Sequence, residues 1–175
     1  MSQLNELEVF RALWATEAEK TIRVLEALPP DQYDFRPDPK GRSIGELAWH
    51  LSEIDACLTF GIAEGRFRLE DEPPDLKRPR EIRLLAPGFR RIHEQAVARL
   101  ERLENDRLDD PVTFFDGREL TIRDVLWSEL LHHLVHHRGH LVGMCRAAGG
   151  VPPGLYGPNR EEMQAIRARM EAAKG

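Results

Sequence analysis

Five of the chain's seven histidines fall within nine residues, His132 to His140, in the run LHHLVHHRGHL. Residues four apart stack on one face of a helix. The pairs 132/136, 133/137 and 136/140 could therefore each turn two imidazoles toward one metal ion. Helical phase separates them. Counted at about 100° per residue from Ile122, the residues Leu126, Leu130, Leu134, Leu141 and Met144 cluster between about 40° and 120°. His133 and His137 fall at about 20° and 60°, on the edge and body of that stripe, while His132 and His136 fall near 280° and 320°. His140, near 0°, lies at the rim. The expectation is that only His133 and His137 point at the interior.

Two imidazoles buried without partners would each cost on the order of 1–3 kcal/mol in lost hydration. A metal ion removes that cost by accepting a lone pair from each ring, and it requires a third ligand from a facing helix. His50 is placed to supply it, three residues after Leu47 and four before Ile54 on another apolar stripe. Three neutral histidines with an open fourth position make the catalytic type of zinc site, and nickel or iron(II) accepts the same donors.

Around these ligands, Glu53 follows His50 by three and is a candidate general base, against the plainer reading of a helix-surface carboxylate. Glu129 precedes His133 by four and is either an acceptor that orients an imidazole or a surface carboxylate paired with Arg. Cys57 lies about 10 Å along the helix from His50, too far for the same ion. It and Cys145 read as buried small hydrophobes. Arg138, near 160°, faces away from the metal as a structural ion-pair partner. Gly139 would allow close helix approach. Tyr156 either caps the mouth of the site or packs.

The elements that must position these residues are helices. Leu4, Leu7, Phe10, Trp14, Thr21, Leu25 and Leu28 keep helical spacing until Pro29-Pro30. After a Pro- and Gly-bearing connector, Ser43-Ile44-Gly45-Glu46 reads as a capping box opening a second helix to about Ala63. Residues 64–79 read as loop. A third stripe runs from Ile82 to Leu103, and Pro87-Gly88 inside it should kink the helix or delay its regular start. Residues 112–120 suggest a turn or hairpin with no sheet to join. Thr121-Ile122-Arg123-Asp124 is a second candidate cap, for a helix ending at Gly149-Gly150. A short polar helix follows Pro158-Asn159. Four long amphipathic helices and almost no strand signal predict an all-α, four-helix bundle, one domain over residues 1–175.

Composition bounds the function. The 175 residues carry 25 Lys and Arg against 30 Asp and Glu, a formal charge of −5, which disfavours a nucleic-acid partner. No apolar run reaches the roughly 20 residues of a membrane span. The residues Met1 to Glu6 lack a basic, apolar leader, and two cysteines make no disulfide framework, so a reducing cytoplasm is expected. Leu131, Val135 and Val142 form a second apolar strip near 180–220° on the last long helix. Burying both strips predicts a homodimer, with another helix of the same chain as the rival partner.

Three segments also carry a family resemblance. The sequence SIGELAWHL, Ser43 to Leu51, resembles the second-helix signature of the DinB/YfiT-like superfamily. HLVHHRGHL, His133 to Leu141, resembles its HxxxHRGQ element, and VPPGLYGP, Val151 to Pro158, resembles its post-helix loop. Order and spacing match from about residue 1 to 160. The resemblance implies an up-down-down-up bundle that binds a divalent metal through His50, His133 and His137. It also implies a metal-dependent enzyme, either a thiol S-transferase using a low-molecular-weight thiol or a metal-assisted hydrolase acting on a small molecule. A non-catalytic bundle with a structural or stress-sensing ion is the alternative. His140 departs from the family pattern, which has Gln there, and is read as either an auxiliary ligand or a rim residue.

Overall fold

The computed structural model describes residues 5–174. Leu4, where the first stripe begins, and the leader reading at Met1 to Leu4 lie outside them. Helix α1 (Glu6–Glu26) is capped by the Asn5 side chain, and α2 (Ile44–Glu64) opens at Ser43. A 3-10 turn, Ile82–Leu84, leads into α3 (Leu85–Leu100). Of the two alternatives for Pro87-Gly88, the delayed start is what occurs. Pro87 falls in the first turn of α3, where a missing N–H costs no helical bond. Gly88 has its own reason: a Cβ there would stand 2.7 Å from the Trp49 ring of α2.

Residues 111–121 form a small antiparallel hairpin, β1 (Pro111–Thr113) with β2 (Glu119–Thr121), Val112 opposite Leu120. Helix α4 follows without a break. It has an α-helical first turn (Ile122–Asp124), a π-helical stretch (Val125–His132) and an α-helical body (His133–Ala147). The polar α5 (Arg160–Ala172) has no buried residue.

Side-chain pairs give the directions. Asp55 meets His93 and Thr59 meets Arg99, so α2 and α3 run parallel. Glu6 meets Trp127 and Glu17 meets Arg138, so α1 and α4 run parallel. Arg11 reaches the Leu100 carbonyl and Glu19 pairs with Arg90, so α1 opposes α3. The bundle is up-down-down-up, with α2 packed against both α3 and α4. No helix among the described residues is long and apolar enough to cross a membrane.

The π-helical stretch corrects the phase count. Up to Leu130 the buried residues are Ile122, Val125, Leu126 and Leu130; beyond it they are Leu131, Leu134, Arg138, Leu141, Met144 and Cys145. At a constant 100° per residue the mean directions of these groups would lie about 110° apart. Hydrogen bonds from i to i+5 put extra residue into each turn and bring both groups onto one seam. The two apolar strips are therefore one strip. Leu131 is buried, Val142 packs against the core and Val135 is half-buried. The chain's own core covers most of the strip, which removes the argument that led to a homodimer.

The α2 cap is a reciprocal box. Ser43 Oγ accepts from the Glu46 N–H at 3.2 Å, and Glu46 Oε2 accepts from the Ser43 N–H at 2.8 Å. Ser43→Ala should lower unfolding free energy by about 1 kcal/mol. Urea denaturation checks it, and an unchanged midpoint would mean the box is dispensable.

Candidate metal centre

His50 on α2 and His133 and His137 on α4 converge. One ring nitrogen from each lies within 4.8 Å of the others, and all three residues are half-buried. Ring centroids are 5.5 Å apart for His50 and His133, 4.8 Å for His50 and His137, and 4.6 Å for His133 and His137. The α4 pair sits at the border of the core seam, where both residues are half-buried. His132, His136 and His140 are exposed. Phase thus chose the right pair, and all five residues of the stripe it rested on are buried; what it left out is that Leu131 and Arg138 are buried with them.

Hydrogen bonds on the far side of two rings set which nitrogen faces the cluster. His50 Nδ1 lies 3.0 Å from Glu53 Oε2, and His133 Nδ1 lies 3.2 Å from the Glu129 carbonyl. Both partners only accept at neutral pH, so both Nδ1 atoms donate and both Nε2 lone pairs are left free. His137 Nε2 stands 2.8 Å from His133 Nε2, while its Nδ1 is buried without a partner. Two nitrogen donors face to face, one with its lone pair fixed outward, suit a shared cation. The donor set fits a divalent metal that accepts imidazole.

Burial and the neighbouring His50 push His137 down to about 3 and also lower His133, whose Glu129 carbonyl contact partly offsets the shift. Both rings are neutral at pH 7, the protonation state in which imidazole ligates metal.

Glu53 is engaged with His50, in the place of an orienting acceptor rather than of an uncommitted base. Glu129 divides its functions. Its backbone carbonyl holds His133, and its carboxylate pairs with Arg118 at 2.9 Å. Both alternatives weighed for this residue are therefore present, on different atoms. Cys57 is exposed, contrary to expectation, because it faces the cavity beside α2; Cys145 is buried. Tyr156 does not cap the site. Its hydroxyl joins Glu17 and Arg138, on the side of α4 that faces α1.

The sequence reading missed a second buried polar centre. Asp55 is fully buried, accepting from Trp14 Nε1 at 3.1 Å and contacting His93 Nδ1 at 2.7 Å. His93 follows Phe89 by four on the apolar stripe of α3, which was the available signal. The reading also missed the cavity of about 1060 Å³ onto which His50 and His133 open. Its far wall comes from the 65–81 connection and the hairpin, whose placement no periodicity reports.

The family model for the DinB family matches residues 1–171. The uncharacterized protein YrdA of Bacillus subtilis is 26% identical over 158 residues, covering 89% of this chain and 91% of that one. A DinB-like crystal structure from Bacillus cereus superposes with a TM-score of 0.71 at 27% identity, covering 85% of this chain and 97% of that one. The DinB-like protein YjoA of Bacillus subtilis gives 0.66 at 25%, covering 86% and 98%. With the family's bundle formed and a three-histidine cluster able to hold a metal at its α2–α4 seam, the chain belongs to the DinB family.

Proposed function

We propose that His50, His133 and His137 hold a divalent metal ion (zinc, nickel or iron(II)) in a catalytic site that keeps a coordination position open. The observation that carries this reading is the pair of outward hydrogen bonds, from His50 to Glu53 and from His133 to the Glu129 carbonyl, which leave two Nε2 lone pairs free beside a large cavity. Among the described residues the cluster comprises three ligands, which leaves the fourth position to a ligand from the cavity. A metal bound there would lower the pKa of a thiol or water and supply a nucleophile at neutral pH.

The reaction class we favour is thiol S-transfer with a low-molecular-weight thiol, and metal-assisted hydrolysis is the second. In either, Glu53 orients His50 and Glu129 orients His133 through its carbonyl. Arg118 keeps the Glu129 carboxylate paired and so away from the ligands. The cavity, which a purely structural ion would not need, favours an enzyme over a non-catalytic bundle.

Metal that binds only the folded chain stabilises it by RT ln(1 + [L]/Kd), about 2.7 kcal/mol at a hundredfold excess over Kd. Chelation should then lower Tm by roughly 5–10 °C for a chain of this length. In parallel, the metal-loaded protein is assayed for loss of a small thiol in the presence of an electrophile. Superimposable melting curves, from protein shown to have lost its metal, would contradict a site coupled to folding.

A further inference from the structure

The cavity has a direction. His50, Ile54, Leu58 and Gly61 line it from a single face of α2, a path of about 16 Å at 1.5 Å per residue. The histidines are at its start. At its far end lies an aromatic group: Phe67 and Phe114 have ring centroids 5.1 Å apart, and Phe114 and Phe115 4.6 Å. Gly61 creates the seat for Phe67, since a Cβ at that position would stand 2.3 Å from the Phe67 ring.

This wall is apolar and partly open. Phe115 is 49% exposed and Leu69 78%, and both line the cavity. Exposed large apolar side chains on a concave surface gain from being covered by an apolar ligand. Charge does not compete with that preference, because the lining holds as many acidic as basic side chains. Several of these are already paired, Arg118 with Glu129 and Arg66 with Asp71.

From this geometry we infer that the substrate is an amphipathic small molecule, with a polar head at the three histidines and a long alkyl or aryl tail on the Phe67–Phe114–Phe115 wall. The inference rests on the metal reading for the head and on the cavity alone for the tail. A short polar substrate would leave the aromatic end unfilled. A tail lying along α2 would cover Ile54, Leu58 and the three rings together.

Zinc-loaded protein titrated calorimetrically with acetohydroxamate, butyrohydroxamate and octanohydroxamate tests it. Each methylene fully taken out of water strengthens binding about fourfold, so octanohydroxamate should bind at least about tenfold tighter than acetohydroxamate even with partial burial. The Phe115→Ser/Leu69→Ser variant changes two exposed residues and should fold normally. It should bind acetohydroxamate like the wild type and lose most of the chain-length gain. Equal affinities across the series in the wild type would overturn the tail assignment while leaving the metal reading intact. Displacement of an anilinonaphthalenesulfonate fluorophore from chelated protein gives the independent arm. Chain-length dependence there, in a protein that never retains zinc, would uphold the apolar cavity and remove the metal reading.

Discussion

Metal content measured by mass spectrometry should fall to background in the His133→Ala/His137→Ala variant, and equally in His50→Ala. One or two imidazoles rarely hold an ion against buffer and chelator, whereas three converging donors do. The His132→Ala/His136→Ala variant has the same i,i+4 spacing removed and should keep wild-type stoichiometry, since both residues are exposed on the face of α4 away from the seam. Its stability should change by less than about 0.5 kcal/mol, as for other surface substitutions. The contrast is the decisive feature, because spacing is held constant and only the face differs. Metal lost from the 132/136 variant and kept by the 133/137 variant would refute the site.

The largest loss of stability is expected on the opposite side of α4. Arg138 is 1% exposed, and its guanidinium contacts the Glu17 carboxylate, the Glu17 carbonyl at 2.8 Å and the Tyr156 hydroxyl. Burial alone would raise the Glu17 pKa, but hydrogen bonds from Lys20, Tyr156 and Arg138 outweigh it and hold the carboxyl below its ordinary value. Glu17→Met leaves a buried guanidinium without its counter-charge and should cost about 3–5 kcal/mol. Arg138→Met should cost less, because Glu17 keeps Lys20 at 2.7 Å and the Tyr156 hydroxyl. Combining the two should recover much of the loss, since two apolar side chains can replace a buried ion pair. Urea melts of the three variants read this directly. Additive losses in the double variant would show that the pair is not the source.

The same ion pair bears on pH dependence. With its folded pKa depressed, Glu17 contributes stability that is present above its unfolded value near 4.5 and is lost as pH falls below it. The contribution is absent from Glu17→Met, whose acid unfolding should be correspondingly shallower.

Local signals were sufficient for much of the molecule. Ser43 and Glu46 announce the start of α2 because a capping box closes within four residues. The stripe Phe89, Ile92, Ala96 and Leu100 announces α3 because amphipathic spacing repeats each turn. The site ligands were legible for the same reason: His133 and His137 are one turn apart, and His50 shares a stripe with Leu47 and Ile54. The family motifs around these residues pointed to the same three histidines.

Other features were decided by the tertiary structure. A helical wheel assumes one rotation per residue, and the π-helical stretch Val125–His132 breaks that assumption. Arg138 faces away from the histidines and pairs with Glu17 as its phase indicated, but its burial, and that of Leu131, was not legible from the wheel. The roles of Glu53 and Glu129 depended on which side of an imidazole their oxygens reached. The cavity depended on residues as distant in sequence as Gly61, Phe67 and Phe114. The chain by itself determined what repeats every turn or closes within a few residues, namely the helices, their caps and the three histidines. Only the packed bundle decided the rotation of α4, the partners of the charged groups and the shape of the cavity, because those are set by contacts between segments that no local periodicity links.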